Sequence, residues 1–222
     1  ILRPIEDVIG NKMSELISFR DIEAVNKFKA QRKFEDAKKN YNKALEINPS
    51  FTNAMVNLGN LYYEMNDYQK AIDNYLKSLK IDNQNALAHY NLGLVYQSIG
   101  EFDVSQKAFE KVLEINPTNT NADKMISRST KYTKDHPHLR KMEEKLKKLK
   151  LNEPQKSNLY FSLGKAYEDF KDYGKSFEYL KLANDTKKKF ITRNFENEYK
   201  TFNNLRTFFD NYKFFKCSFI NN

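Results

Sequence analysis

The chain has 222 residues, 40% of them hydrophobic, and a formal net charge of +9 from 38 basic and 29 acidic side chains. No stretch approaches the ~18 unbroken apolar residues of a membrane span, and one cysteine, Cys217, excludes an internal disulfide. The N-terminal Ile1-Leu2-Arg3-Pro4-Ile5 lacks the basic-then-apolar pattern of a secretory signal. With the lone thiol, that points to a reducing, cytoplasmic setting. The charge is uneven: residues 18–117 balance 13 basic against 13 acidic groups, whereas 118–222 carry 23 against 13. Thirty-one of the 38 basic residues are Lys, which reads as solvated helix faces rather than a nucleic-acid footprint.

After an N-terminal segment, 1–17, the chain repeats itself. Phe34, Tyr68 and Phe102 stand 34 residues apart, as do Ala37, Ala71 and Ser105, then Tyr41, Tyr75 and Phe109. Gly59 and Gly93 keep that interval, and so do Tyr62 and Tyr96. A fixed period of this size denotes stacked two-helix units, each burying its apolar face only against its neighbours. Three such units fill 18–117. The first has a degenerate helix A (Ala24-Val25, Phe28) and an intact helix B (Ala37, Tyr41, Ala44), closed by Pro49. In the second, Met55, Leu58, Tyr62 and Met65 mark one face of a helix over about 52–65. Tyr68, Ala71, Ile72, Tyr75 and Leu79 do the same over about 68–81, after an Asn66-Asp67 turn. The third copies the second, with Gly100-Glu101 as its turn. Gly59, Gly93 and Gly164 are expected where helix B crosses helix A most closely.

Gly93 to Gly164 is 71 residues, two periods plus three, so a fourth unit with a three-residue insertion is expected over 118–156. Its helix B should begin at His136-Pro137 and carry Met142, Leu146 and Leu149 inward. A fifth unit occupies 157–190, with Leu163-Gly164, Tyr167 and Tyr173. A Phe-rich segment, 191–222, should form a last capping helix.

These residues resemble the tetratricopeptide repeat family, whose pattern runs Leu-Gly, Tyr, Ala, aromatic, Ala, Pro. The second unit supplies Leu58-Gly59, Tyr62, Ala71, Tyr75 and Ser78. The third supplies Leu92-Gly93, Tyr96, Ser105, Phe109 and Pro117. The resemblance implies an all-α right-handed superhelical solenoid, here of about five helix pairs plus a cap, with helices A lining a peptide-binding concave face. Gly59, Tyr62, Ala71, Tyr75, Gly93, Tyr96, Phe109, Gly164 and Tyr167 would be its repeat core.

A search for chemistry returns little. His89, His136 and His138 show no metal-ligand spacing, and His136-Pro137-His138 reads as a polar turn. The six glycines are isolated, so no phosphate loop is present. No catalytic residue, cofactor or metal is therefore expected. In 139–150, Leu139, Met142, Leu146 and Leu149 form an apolar face and the lysines the opposite one, which reads as the repeat's own core rather than a membrane or nucleic-acid helix. Some family members clamp a peptide carboxylate with basic residues. At the corresponding positions here stand Ile22, Asn26, Asn57, Leu87 and Asn91, which lack every cation. A clamp without a cationic partner would leave a buried carboxylate costly to desolvate. The expected groove is instead polar and neutral: Asn26, Asn53, Asn57, Asn60, Tyr90 and Asn91.

The block Leu159 to Asn184, with Phe161-Ser162-Leu163-Gly164-Lys165-Ala166-Tyr167-Glu168-Asp169, resembles the last repeat of bacterial proteins in which such repeats precede a sulfotransferase domain. The resemblance, over about 136–215, implies a fragment whose catalytic domain would begin near Asn222. The sequence thus leads to a non-catalytic interaction scaffold with a protein or peptide partner. The alternative is the substrate-presenting arm of a sulfotransferase.

Overall fold

A computed structural model describes the backbone of residues 19–189, with side chains from residue 33 onward. Every regular element among them is helical. In order these are α1 (Phe19–Ile47), α2 (Thr52–Glu64), α3 (Tyr68–Ile81), α4 (Ala86–Ser98), α5 (Phe102–Ile115), α6 (Thr120–Ser129), α7 (Pro137–Lys148) and α8 (Glu153–Asp169). A ninth helix, α9, covers 173–189. The expected all-α repeat fold is present. The N-terminal segment 1–17, the Phe-rich segment 191–222 with Cys217, and the side chains of Ile22 and Asn26 lie outside the described residues. The chain divides into two compact units, the first ending at Glu101 and the second starting at Phe102. That division falls in the turn between the helices of the third repeat.

The first unit contains one departure from the expected helix pairs. A turn was expected inside 18–51, yet the backbone is one helix from Phe19 to Ile47. The reason is local. Where later repeats place Asn66-Asp67 or Gly100-Glu101, this one has Arg32-Lys33, two good helix formers, and no Gly or Pro interrupts the run. The C-terminal part of α1 still serves as helix B against α2.

The second repeat is regular. Asp67 caps α3 by accepting from the Lys70 N–H at 3.3 Å, and Asn66 takes the left-handed φ of 59° that the tight turn requires. Asn85 caps α4 through the Ala88 N–H at 3.0 Å. Ala54, Met55, Leu58, Ala71, Ile72 and Tyr75 form the buried layer between α2 and α3. A Cβ on Gly59 would lie 2.5 Å from Tyr75 Cε1, so the buried ring of Tyr75 occupies the space a side chain would need. Gly93 is buried as well. Tyr62 and Tyr96, expected in the core, are only half-buried. Lys70 Nζ stands over the Tyr62 ring, 5.5 Å from its centroid.

In the second unit α5 turns Ser105, Phe109 and Val112 inward. α6 packs on α5 and α8, and α7 packs on α8. The core gathers Tyr132, Leu139, Met142, Leu151, Leu159, Leu163, Ala166 and Tyr167. Gly164 repeats the role of Gly59, since a Cβ there would stand 2.7 Å from Leu180 Cδ2. α7 begins at Pro137 with His136 as its cap residue, as the sequence implies. Met142 is fully buried and Leu146 partly so. Leu149, expected on the helix, is instead its C-cap residue in extended backbone. A capping box between Asn152 and Gln155, with Pro154 in the first turn, starts α8.

Candidate binding surfaces

Asparagine has a short amide that can donate and accept at once, so a row of them on one helix face is suited to backbone-like hydrogen bonding. On α2, Asn53 and Asn57 sit one turn apart and are exposed. Asn60 follows on the same side, half-buried, and is already engaged. Its Oδ1 accepts from Tyr75 Oη at 2.7 Å and from Asn91 Nδ2 on α4 at 2.7 Å. Burial pushes the Tyr75 hydroxyl far up from its ordinary range, so it remains a donor. The structure therefore brings Asn60 and Asn91 together and leaves Asn53 and Asn57 toward solvent. Tyr90 is half-buried on α4. Leu87, at a former clamp position, is 56% exposed.

Asn60 and Asn91 were expected to face a ligand with both amide groups. Part of that capacity is consumed internally, because the buried Tyr75 hydroxyl needs an acceptor. The sequence carried a signal for this. Asn26 with Tyr41 and Asn60 with Tyr75 recur at one spacing, while the third repeat pairs Leu94 with Phe109. Where the ring loses its hydroxyl, the partner loses its amide.

A second amide pair, not anticipated from the sequence, lies in the other unit. Asn158 on α8 donates to Asn121 Oδ1 on α6 at 2.8 Å. Beside it a cavity of about 300 Å³ is lined by Lys124, Ser157, Phe161 and Lys187 among others. The irregular register of the fourth repeat conceals these positions in a linear reading.

The same unit holds a buried polar network. Asp123 on α6 is fully buried. Both of its oxygens accept from Lys145 Nζ on α7 at 2.7 Å, and Oδ1 also lies 3.1 Å from His138 Nε2. His138 Nδ1 is 2.6 Å from Tyr132 Oη, which is 3.0 Å from Ser127 Oγ. Ser127 in turn donates to the Asp123 carbonyl at 2.9 Å. Burial pushes the Tyr132 hydroxyl up to about 12. Two sequence expectations change here. His138 is a buried partner of Asp123 rather than a polar turn, and Lys145 leaves the solvated lysine face to neutralise the same carboxylate. The physical reason is that Asp123 cannot stay charged and buried alone. Nearby, Lys165 Nζ binds Asp169 Oδ2 at 2.7 Å and the Thr130 carbonyl at 2.6 Å, and the Tyr132 N–H donates to Asp169 Oδ2 at 3.0 Å. These contacts fasten the 130–136 connection to α8.

The polar network is closed on itself: each group named in it is satisfied by another. Among the described residues, no three His, Cys, Asp or Glu side chains are grouped to hold a metal. No helix among them is long and apolar enough to cross a membrane.

Paired helices at a 34-residue interval, crossing glycines and polar helix-A faces define a tetratricopeptide repeat protein. Models described as TPR repeat match residues 26–66 and 59–100, and models described as tetratricopeptide repeat match 86–119 and 157–190. The matches together span more than half of the chain, which belongs to this family. Among solved structures the chain is similar to MamA, with 22% identity over 79% of this chain and 98% of that one, at a TM-score of 0.59. It is also similar to YrrB, with 22% identity over 72% of this chain and 81% of that one, at a TM-score of 0.53. The YrrB structure is described as a TPR protein with an unusual peptide-binding site. No match was found among curated proteins.

Proposed function

We propose that this chain is a non-catalytic interaction scaffold that binds an extended peptide segment along the asparagine face of α2 and α4. The observation that carries this is the division of labour among the amides. Asn60 Oδ1 is held by Tyr75 and Asn91, while the Asn57 side chain hydrogen-bonds no described residue and stands exposed one turn away. A pre-set pair beside unused donors and acceptors fits a peptide backbone, whose groups alternate in kind. The peptide-binding site described for YrrB supports the same use of the fold. The face carries no cation at the clamp positions, so recognition does not depend on a terminal carboxylate.

The test is fluorescence polarisation with peptides selected on the purified chain. Asn57→Ala should weaken binding by about tenfold, roughly the loss of one hydrogen bond to an unsatisfied partner. Amidating the peptide C-terminus should leave affinity unchanged. Selected peptides that bind Asn57→Ala and the native chain equally would refute the assignment.

The sulfotransferase-arm alternative rests on the sequence resemblance over 136–215, and none of the matches above names such a protein. A coding region running on past Asn222 into an Arg-Ser-Gly-Thr-type loop would restore it.

A further inference from the structure

The fourth repeat departs from the others in more than its sequence. In the second repeat, helices A and B are tightly apposed. Here α6 and α7 are joined by the longer 130–136 connection, and the buried Asp123–Lys145–His138 network spans the distance between them. α7 packs on α8, and neither α6 nor α5 is among its substantial packing partners. A trough of about 650 Å³ opens between α5 and α7.

Its dimensions select an occupant. The lining residues on and beside α7 run from His136 to Leu149, which at 1.5 Å per residue is about 20 Å. The trough is open to solvent along that length, so a helix lying on it would set one row of its side chains against the lining. Leu113, Pro117, Pro137 and Leu149 give it an apolar lining. Its two sides carry opposite charge. α5 contributes the exposed Glu110 and Glu114, the latter ion-paired to Lys111 at 2.8 Å, while α7 contributes the exposed Lys141 and a Lys148–Glu144 ion pair at 2.9 Å, so that the α7 side is positive only on balance. Lys145 is already committed to Asp123.

We propose that the α5–α7 trough is a second docking site, which takes the apolar edge of an amphipathic helix from a partner protein, with that helix's basic flank toward α5 and its acidic flank toward α7. An apolar row alone would leave direction undetermined. Opposed charges on the two sides give each flank a complement and fix which way the helix runs. The site is independent of the asparagine face, so either can fail without the other.

The chain has no Trp, so a synthetic helix with one Trp on its leucine edge reports burial without background. Three probes share that edge and differ in their flanks: Lys on one side and Glu on the other, Lys on both, or Glu on both. The mixed probe should bind about tenfold tighter than either single-sign probe. In the Glu110→Lys/Glu114→Lys variant, the all-Glu probe should become the tightest. That gain of affinity cannot come from misfolding. Asn57→Ala should leave all three affinities unchanged, which separates this site from the peptide face. Absence of a Trp emission shift with every probe would overturn the proposal, as would an unchanged affinity order in the double variant. Equal binding of a probe with Gln in place of its leucines would overturn it too.

Discussion

Ser78 is fully buried on α3, and its hydroxyl finds no hydrogen-bond partner among the described residues. The corresponding position is Ala44 in the first repeat and Val112 in the third, so the site asks for a small apolar group. Ser78→Ala should raise stability by about 1 kcal/mol, read as a higher urea midpoint, because a buried unsatisfied hydroxyl is removed with little change in volume. A lower midpoint would mean that the hydroxyl has a partner in solution. Asp169 presents the opposite case. Burial alone would raise its pKa, but hydrogen bonds from Lys165, the Tyr132 N–H and Lys131 outweigh that and hold it below the ordinary 3.8. A carboxyl depressed in the fold contributes stability that is complete above its unfolded pKa and is lost as pH falls through its folded one. Asp169→Asn should therefore melt below the native chain at neutral pH, and the gap should close as pH falls below the ordinary carboxylate range. A gap that stays constant with pH would show that the carboxylate's charge does not matter there.

At the scale of elements, the helix ends are where local chemistry decides most. The α8 start combines the Asn152–Gln155 capping box with a reach from Gln155 Nε2 to the Thr118 carbonyl at 3.0 Å. Asn152→Ala should cost about 1 kcal/mol and should speed amide exchange in the first turn of α8 before its last turn. Uniform acceleration along the helix would argue that the cap stabilises packing rather than the terminus. The first repeat makes the same point from the other side. Without turn residues at Arg32-Lys33, the helix continues and the expected pair becomes α1. The α6–α7 connection shows what a few residues can do at a joint. Across this joint the buried Asp123 of α6 is held by Lys145 and His138 of α7, a polar link where the second repeat uses apolar contact.

For the whole molecule, a repeat array has energetics that depend on near neighbours. Gly59→Leu would force a side chain into the ring of Tyr75, since even a Cβ would come within 2.5 Å of it, and overpacking of this kind costs roughly 1–3 kcal/mol. The loss should be local: hydrogen-exchange protection should fall in α2–α4 while α7 and α8 keep theirs. An equal fall throughout would show that the chain unfolds as one cooperative body. A binding function suits such construction, because helix faces with unspent amides or charges can coexist with rigid, locally satisfied packing behind them.

The repeat period, the all-helical fold, the start of α7 at Pro137 and the tight approaches at Gly59 and Gly164 were legible in the sequence. Each of these follows from local rules: apolar spacing, caps, and the space an aromatic ring takes up. The sequence also placed Asn53, Asn57, Asn60 and Asn91 on helix-A positions. What those amides do was settled only in three dimensions. Asn60 meets Tyr75 and Asn91 across two helix interfaces; the repeat spacing hints at the first pairing, but the 31-residue pairing with Asn91 shows only in the fold. The same holds for Asp123, which draws His138 and Lys145 inward from a segment whose pattern assigns lysines to solvent. Hydrophobic periodicity says which face is inward on average. The requirement that each buried charge find a partner acts between elements, and tertiary packing alone decides which residues meet it.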